Sequence, residues 1–124
     1  MSAPQIWLSV AAIYGAAGVV CGAFGAHALR ARLAPDLLAV WHTAVEYQLF
    51  HALALIAVAI LMWVRPMPWL GVAAACFALG VLVFSGSLYL LVLSSVRVLG
   101  AVTPIGGVLL IAGWIALLVS AIRS

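Results

Sequence analysis

The chain has 124 residues, enough for one domain, and its composition excludes a water-soluble protein. It is 69% hydrophobic and 6% charged, with a mean hydropathy of +1.40, whereas soluble domains are about 45–50% apolar and about 25% charged. The net charge of +3 comes from arginines that stand mostly alone at the ends of apolar runs, so it does not form a nucleic-acid-binding face. We therefore expect an all-α membrane domain whose main partners are lipids, with no nucleic acid.

Four apolar runs are long enough to be membrane spans, because a helix needs about 20 residues to cross the hydrocarbon core. No Lys or Arg precedes the first run, and the run is too long for the apolar part of a signal peptide, so we expect a retained span. The predicted spans are roughly 6–29, 43–64, 69–93 and 98–122. Trp7, Trp41, Trp63 and Trp69 fall near their ends, as interfacial anchors do. Short connections after the second and third spans predict antiparallel neighbours, hence a four-helix bundle.

The connection between the first two spans, residues 30–42, is amphipathic. Pro35 suits the first position of a helix, and Asp36 suits the positive end of a helix dipole. This pattern predicts a short interfacial helix that runs into the second span.

Small residues mark the surfaces through which the helices pack. Where lipid offers no hydrophobic drive for association, glycine lets two helix backbones approach closely. Within one chain we expect such seams on the first and fourth spans, in preference to a dimer face. The seam residues are Gly15, Gly18, Gly22 and Gly25 on the first span, and Gly106, Gly107 and Gly113 on the fourth.

The sequence Thr103-Pro-Ile-Gly-Gly107 predicts a break in the fourth span. Pro104 removes a backbone donor, and two glycines weaken the same turn. A kink that serves packing and a break that binds a ligand both fit this pattern.

Polar residues of the spans fall on one side of the membrane, the side of the first and third loops. Intramembrane polar groups either fix helix register or mark a site for protons or ligands, and both interpretations stay open. Glu46 needs a partner at this depth, and Arg97 and His42 are the candidates. The predicted polar layer consists of His27, His42, Glu46, Tyr47, Gln48, His51, Ser85, Ser87, Tyr89, Arg97 and Thr103.

Motifs of known enzyme and metal chemistry do not occur. Two carboxylates are too few for a di-iron centre, and there is no His-Glu-x-x-His helix or G-x-S-x-G turn. We therefore expect no catalytic residue, no metal and no cofactor.

Four ordered motifs carry a resemblance that runs over essentially the whole chain. They are Gly22-Ala-Phe-Gly-Ala-His27, Glu46-Tyr-Gln-Leu-Phe-His51, Phe84-Ser-Gly-Ser-Leu-Tyr89 and the Thr103–Gly107 segment. Together they resemble domain of unknown function 423, also called uncharacterised protein family 0382. The resemblance implies a multi-pass protein of the bacterial inner membrane and implies no reaction.

Three functions fit the polar layer. The first is a non-enzymatic binding, assembly or accessory component, with a membrane-protein partner or as a homo-oligomer. The second is a small oligomeric proton-coupled transporter or channel in which Glu46 and His51 titrate. The third is a haem- or quinone-binding membrane anchor that uses His27, His42 or His51.

Overall fold

A computed structural model describes residues 1–124, and the chain is entirely helical apart from short connections. The four long helices are α1 (Ala3–Phe24), α2 (Pro35–Val64), α3 (Leu70–Ser94) and α4 (Thr103–Arg123). A π-helical turn, Gly25–Leu29, extends α1, and a 3-10 helix, Arg97–Ala101, precedes α4. Four helical segments are long and apolar enough to cross a membrane, which confirms the predicted fold class.

Local sequence explains where the helices begin and end. Ser2 caps α1 in a capping box with Gln5, whose side-chain oxygen accepts from the Ser2 amide at 2.8 Å. The left-handed residues Trp69 (φ 73°) and Ser95 (φ 59°) flank α3. A left-handed residue cannot belong to a right-handed helix, so α3 begins after Trp69 and ends before Ser95.

In the segment between the first two spans, residues 30–34 form turns and residues 35–42 belong to α2, so no separate short helix is present. Pro35 occupies the first turn of α2, and the helix continues without interruption to Val64. Its 30 residues measure about 45 Å, against a hydrocarbon core of about 30 Å. Counting about 20 residues back from Val64 places the hydrocarbon boundary near Val45. The position of the first turns of α2 at the membrane surface stays a prediction.

The helices pack in chain order, with α1 on α2, α2 on α3 and α3 on α4. Contact between α1 and α3 is slight, and α1 and α4 form the two edges of the arrangement. The main core lies along α2 and α3 around Leu55, Val58 and Phe77. A smaller cluster around Trp41 and Val92 closes the end that carries the first and third loops. Gaps beside α3 therefore remain on both of its sides.

Two glycines of α1 and its extension bring that helix close to α2. A Cβ on Gly18 would lie 2.6 Å from Leu49, and one on Gly25 would lie 2.5 Å from the Trp41 indole nitrogen. At Gly22 the nearest atom would be 3.4 Å away. The first two positions therefore require the absence of a side chain.

The α3–α4 seam is closer still. A Cβ on Gly106 would collide with the backbone of Phe84, and one on Gly113 would lie 2.6 Å from the Phe77 ring. Backbone cannot move aside as a flexible side chain can, so Gly106 fixes how near α4 comes to α3.

Two of the predicted packing glycines are not in a close seam. Gly15 has no neighbour within 4 Å, and a Cβ on Gly107 would first meet Phe84 at 3.9 Å. The predicted break of the fourth span lies at the junction of the 3-10 helix and α4 and is not a kink within α4. Pro104 lies in the first turn of α4, where its missing amide has no helical partner in any case, so the proline marks a helix start.

Candidate functional site

The predicted polar layer divides into three hydrogen-bonded clusters and a set of exposed residues. The division follows from α2, whose successive residues face different neighbours. Gln48 faces α1 and α3, His51 faces α4, and Glu46 is exposed. A shared height in the membrane therefore does not make these residues one site.

The first cluster joins α1, α2 and α3 through the side chain of Gln48. Its Nε2 donates to the carbonyl of Tyr14 at 2.9 Å, and its Oε1 accepts from the hydroxyl of Tyr89 at 2.6 Å. The Tyr14 hydroxyl donates to the carbonyl of Ala78 at 2.7 Å. Gln48 is only 5% exposed, so these bonds stabilise a polar group that lipid could not solvate.

Ser85 adds a second bond between α2 and α3. Its hydroxyl donates to the carbonyl of Ala44 at 2.7 Å. On the other side of α2, the indole nitrogen of Trp41 donates to the carbonyl of Cys21 at 2.9 Å. Both donors are satisfied by backbone, which ties the helices together and leaves no free polar group there.

A cavity of about 230 Å³ opens beside this cluster, where α1 and α3 separate. The exposed side chains Ile13 and Leu82 form its rim, so it faces the lipid. Gly86 lies in its wall with open space where a Cβ would be. Because the neighbouring polar groups bond to one another, this α1–α3 cavity presents an apolar surface.

The second cluster joins α2 to α4 through a histidine and a tryptophan. Trp114 Nε1 donates to His51 Nε2 at 3.0 Å, and His51 Nδ1 lies 2.8 Å from the carbonyl oxygen of Tyr47. Since Nε2 accepts, the ring proton belongs on Nδ1, from which it is donated to that carbonyl. The geometry thus assigns a neutral His51 with both nitrogens engaged.

Aromatic rings surround the pair. The Phe77 ring centroid lies 5.6 Å from that of His51 and 5.0 Å from that of Trp114. Tyr47 stacks on Phe84 with centroids 4.4 Å apart and an interplanar angle of 26°. Such offset and edge-on arrangements are the favourable ones for aromatic pairs.

A cavity of about 300 Å³ lies among these residues, between α2, α3 and α4. Tyr47 is 39% exposed, and its hydroxyl makes no hydrogen bond within the chain. Trp114 and Ile111 form the outer rim and are also exposed. The α2–α4 cavity thus differs from the first in having a lining residue, Tyr47, whose hydroxyl has no hydrogen bond within the chain.

The third cluster fixes the start of α4 on α3. The hydroxyls of Ser87 and Thr103 lie 2.6 Å apart, and Ser87 also donates to the carbonyl of Phe84 at 2.9 Å. Thr103 reaches back to the carbonyl of Leu99 at 3.4 Å. The two predicted residues therefore meet, and their contact is a helix-to-helix hydrogen bond.

Four predicted residues lie outside these clusters, because His27, His42, Glu46 and Arg97 are all exposed. The expectation that Arg97 or His42 pairs with Glu46 was wrong, since no ion pair or hydrogen bond joins them. The continuous length of α2 supplies the reason. It brings Glu46 next to the hydrocarbon boundary near Val45, where a carboxylate reaches the headgroup region.

Sequence reasoning missed Trp114 and Tyr14. Of the five tryptophans, Trp114 is the one that stands in the middle of a span. An indole N–H at that depth needs an acceptor, since lipid supplies none. That requirement could have pointed to His51, the one histidine deep enough to meet it.

Metal or haem ligation would need a rearrangement of these contacts. No group of three His, Cys, Asp or Glu side chains lies close enough to hold a metal ion. His51 would have to release Trp114 before its Nε2 could ligate iron. Of the remaining histidines, His27 lies in the π-helical turn and His42 on the exposed face of α2.

Comparison with known proteins places the chain in a family of bacterial membrane proteins. The family model described as protein of unknown function (DUF423) matches residues 21–107. The UPF0382 inner membrane protein YgdD of Escherichia coli K12 is 45% identical over 119 residues, which cover 96% of this chain and 91% of the relative.

Relatives from other bacteria give the same assignment. The UPF0382 membrane protein of Staphylococcus haemolyticus is 40% identical over 121 residues, covering 96% of this chain and 97% of that one. The UPF0382 membrane protein YwdK of Bacillus subtilis is 39% identical over 126 residues, covering 96% and 98%. No solved structure matches the chain. The chain therefore belongs to the DUF423 family, and it is a multi-pass protein of the bacterial inner membrane.

Proposed function

We propose that this protein is a non-enzymatic binding component that receives a lipid-soluble molecule sideways from the bilayer. One observation carries the proposal. Every buried polar side-chain atom has a hydrogen-bond partner, whereas the α1–α3 and α2–α4 cavities open between helices toward exposed residues of the lipid-facing surface. The openings thus favour entry from lipid.

Passage of protons through the bundle has less support. Glu46 and His51 do not share a surface of α2, because Glu46 is exposed and His51 is bonded to α4. A proton path needs a chain of groups that exchange hydrogen bonds, and the clusters instead end on backbone carbonyls. A transporter would therefore need a different conformation or a second copy.

Assembly with a membrane-protein partner or a second copy is a second candidate. Only 11% of the apolar window of α1 is buried, against 44% for α3. An edge helix with that much free surface favours contact with another helix as well as with lipid.

Extraction with the native lipids tests the proposal. The protein would be isolated in copolymer nanodiscs and analysed by native mass spectrometry. We expect one lipid-soluble molecule retained per chain. A stable larger partner with no retained molecule would favour the assembly role. Proton flux in liposomes that Glu46→Gln abolishes would contradict the proposal and support a transporter.

A further inference from the structure

We infer that the α2–α4 cavity binds the head of a lipid-soluble quinone. This inference rests on the proposed binding function and assigns it a place and a ligand class. It follows from the shape of the cavity walls, from the one unused polar group and from the absence of charge.

The walls favour a flat ligand. Tyr47, Phe84, Trp114 and the His51 imidazole contribute planar surfaces around about 300 Å³. Trp114 is 48% exposed, so part of its ring is free to contact a bound molecule. Stacked and edge-on contacts with aromatic rings stabilise a planar group more than a flexible chain.

The polar groups favour a ligand with a hydrogen-bond acceptor. Both nitrogens of His51 and the indole nitrogen of Trp114 are already engaged. The Tyr47 hydroxyl is the one side-chain donor in the lining with no bond. Because this hydroxyl has no partner within the chain, a ligand carbonyl could accept a hydrogen bond from it.

The charges favour a neutral ligand. No carboxylate lines the cavity, and the assigned tautomer of His51 carries no charge. An organic cation would find aromatic faces but no counter-charge, and an anion would find no cation. A neutral ring with a carbonyl meets all three conditions.

Location favours a molecule with an apolar tail. Tyr47 lies two residues beyond the hydrocarbon boundary near Val45, so a bound head would sit just below the headgroups. The exposed rim at Ile111 and Trp114 leaves a way for the tail into the lipid. Quinones of the membrane combine this neutral planar carbonyl head with an apolar tail.

Titration with decylubiquinone tests the inference. The protein in nanodiscs would be titrated while quenching of tryptophan fluorescence is recorded, since Trp114 lies in the cavity wall. We expect saturable quenching, about tenfold weaker binding for Tyr47→Phe, which removes only the hydroxyl, and no saturable binding for Gly107→Leu, which fills the cavity.

Control variants distinguish loss of binding because the cavity is filled from loss of binding because the protein does not fold. Gly71→Leu also adds a side chain at a glycine with open space, but at the start of α3, and should bind as the original chain does. Ile111→Trp narrows the rim at an exposed position and should weaken binding. This variant supplies the test in case Gly107→Leu does not fold. Thermal unfolding of each variant in detergent reports folding.

The outcomes distinguish this inference from the broader proposal. If Tyr47→Phe, Gly107→Leu and Ile111→Trp all bind decylubiquinone as the original chain does, the assigned site is wrong. If tetraphenylphosphonium binds there and the quinone does not, the ligand class is wrong. In both cases a lipid-soluble molecule retained from native membranes would leave the proposed binding function intact. Failure to retain any molecule would overturn that function itself.

Discussion

The α1–α3 cavity and the α2–α4 cavity have similar apolar walls, but they differ in whether the polar groups around them all have hydrogen-bond partners. Near the α1–α3 cavity, Gln48, Tyr14 and Tyr89 bond to one another and to backbone, so that cavity offers only apolar contact. In the α2–α4 cavity, His51 and Trp114 satisfy each other and leave the hydroxyl of Tyr47 free. Similar residues thus build a structural connection beside the α1–α3 cavity and the proposed binding surface in the α2–α4 cavity.

The largest expected effect comes from the close seam between α3 and α4. Gly106→Ala should destabilise the protein by about 2–3 kcal/mol, because the added Cβ meets the backbone of Phe84, which cannot move aside. The neighbouring Gly107→Ala has room and should be neutral or stabilising by up to about 1 kcal/mol. Unfolding of both variants in mixed micelles measures the difference. Equal stabilities would show that α4 does not approach α3 as described.

Removing the hydrogen bonds of Gln48 beside the α1–α3 cavity should have the next largest effect on stability. Gln48→Leu loses one bond to Tyr14 and one to Tyr89, which amounts to about 1–2 kcal/mol. Tyr89→Phe loses only the second and should cost about half as much. Hydrogen exchange should rise along α1 in Gln48→Leu and stay unchanged along α4. A rise along α4 alone would contradict the assigned partners.

The His51–Trp114 bond should contribute less, because a single bond between membrane helices contributes about 0.6 kcal/mol on average. A double-mutant cycle with His51→Leu and Trp114→Phe isolates the interaction from the ring contacts. We expect a coupling energy of about 0.5–1 kcal/mol. Additive effects would mean that the two side chains do not bond.

The smallest expected effect belongs to Glu46. Because this carboxylate is exposed and unpaired, Glu46→Gln should change the free energy of unfolding by less than about 0.5 kcal/mol. His42→Gln, one turn earlier on the same exposed face, serves as the comparison. A large loss of stability in Glu46→Gln alone would point to a buried partner.

The sequence predicts the number of helices and their approximate limits. Length and hydropathy suffice for this, because lipid imposes a fixed span length. Which neighbouring helix each polar side chain contacts depends on the order of the helices and on their rotation, and hydropathy encodes neither. Gln48 and His51 are less than one turn apart, yet Gln48 bonds to α1 and α3 whereas His51 bonds to α4.

Pro104 and Glu46 show the same limit at the ends of helices. A proline in an apolar run reads as a kink until the 3-10 helix before it is known. Glu46 was expected to need a partner because it was placed inside the predicted second span. Since α2 starts at Pro35, Glu46 lies instead near the hydrocarbon boundary, where a carboxylate needs no protein partner. Trp114 differs from these two residues, because its position in the middle of a span is enough to predict that its indole N–H needs an acceptor.

Native mass spectrometry of three matched chains tests lateral binding in the α2–α4 cavity most directly. The original protein, Gly107→Leu and Gly71→Leu would be extracted from the same membranes in copolymer nanodiscs. We predict one retained lipid-soluble molecule per chain in the first and third and none in Gly107→Leu. Equal retention by all three, or none in any, would contradict binding in this cavity.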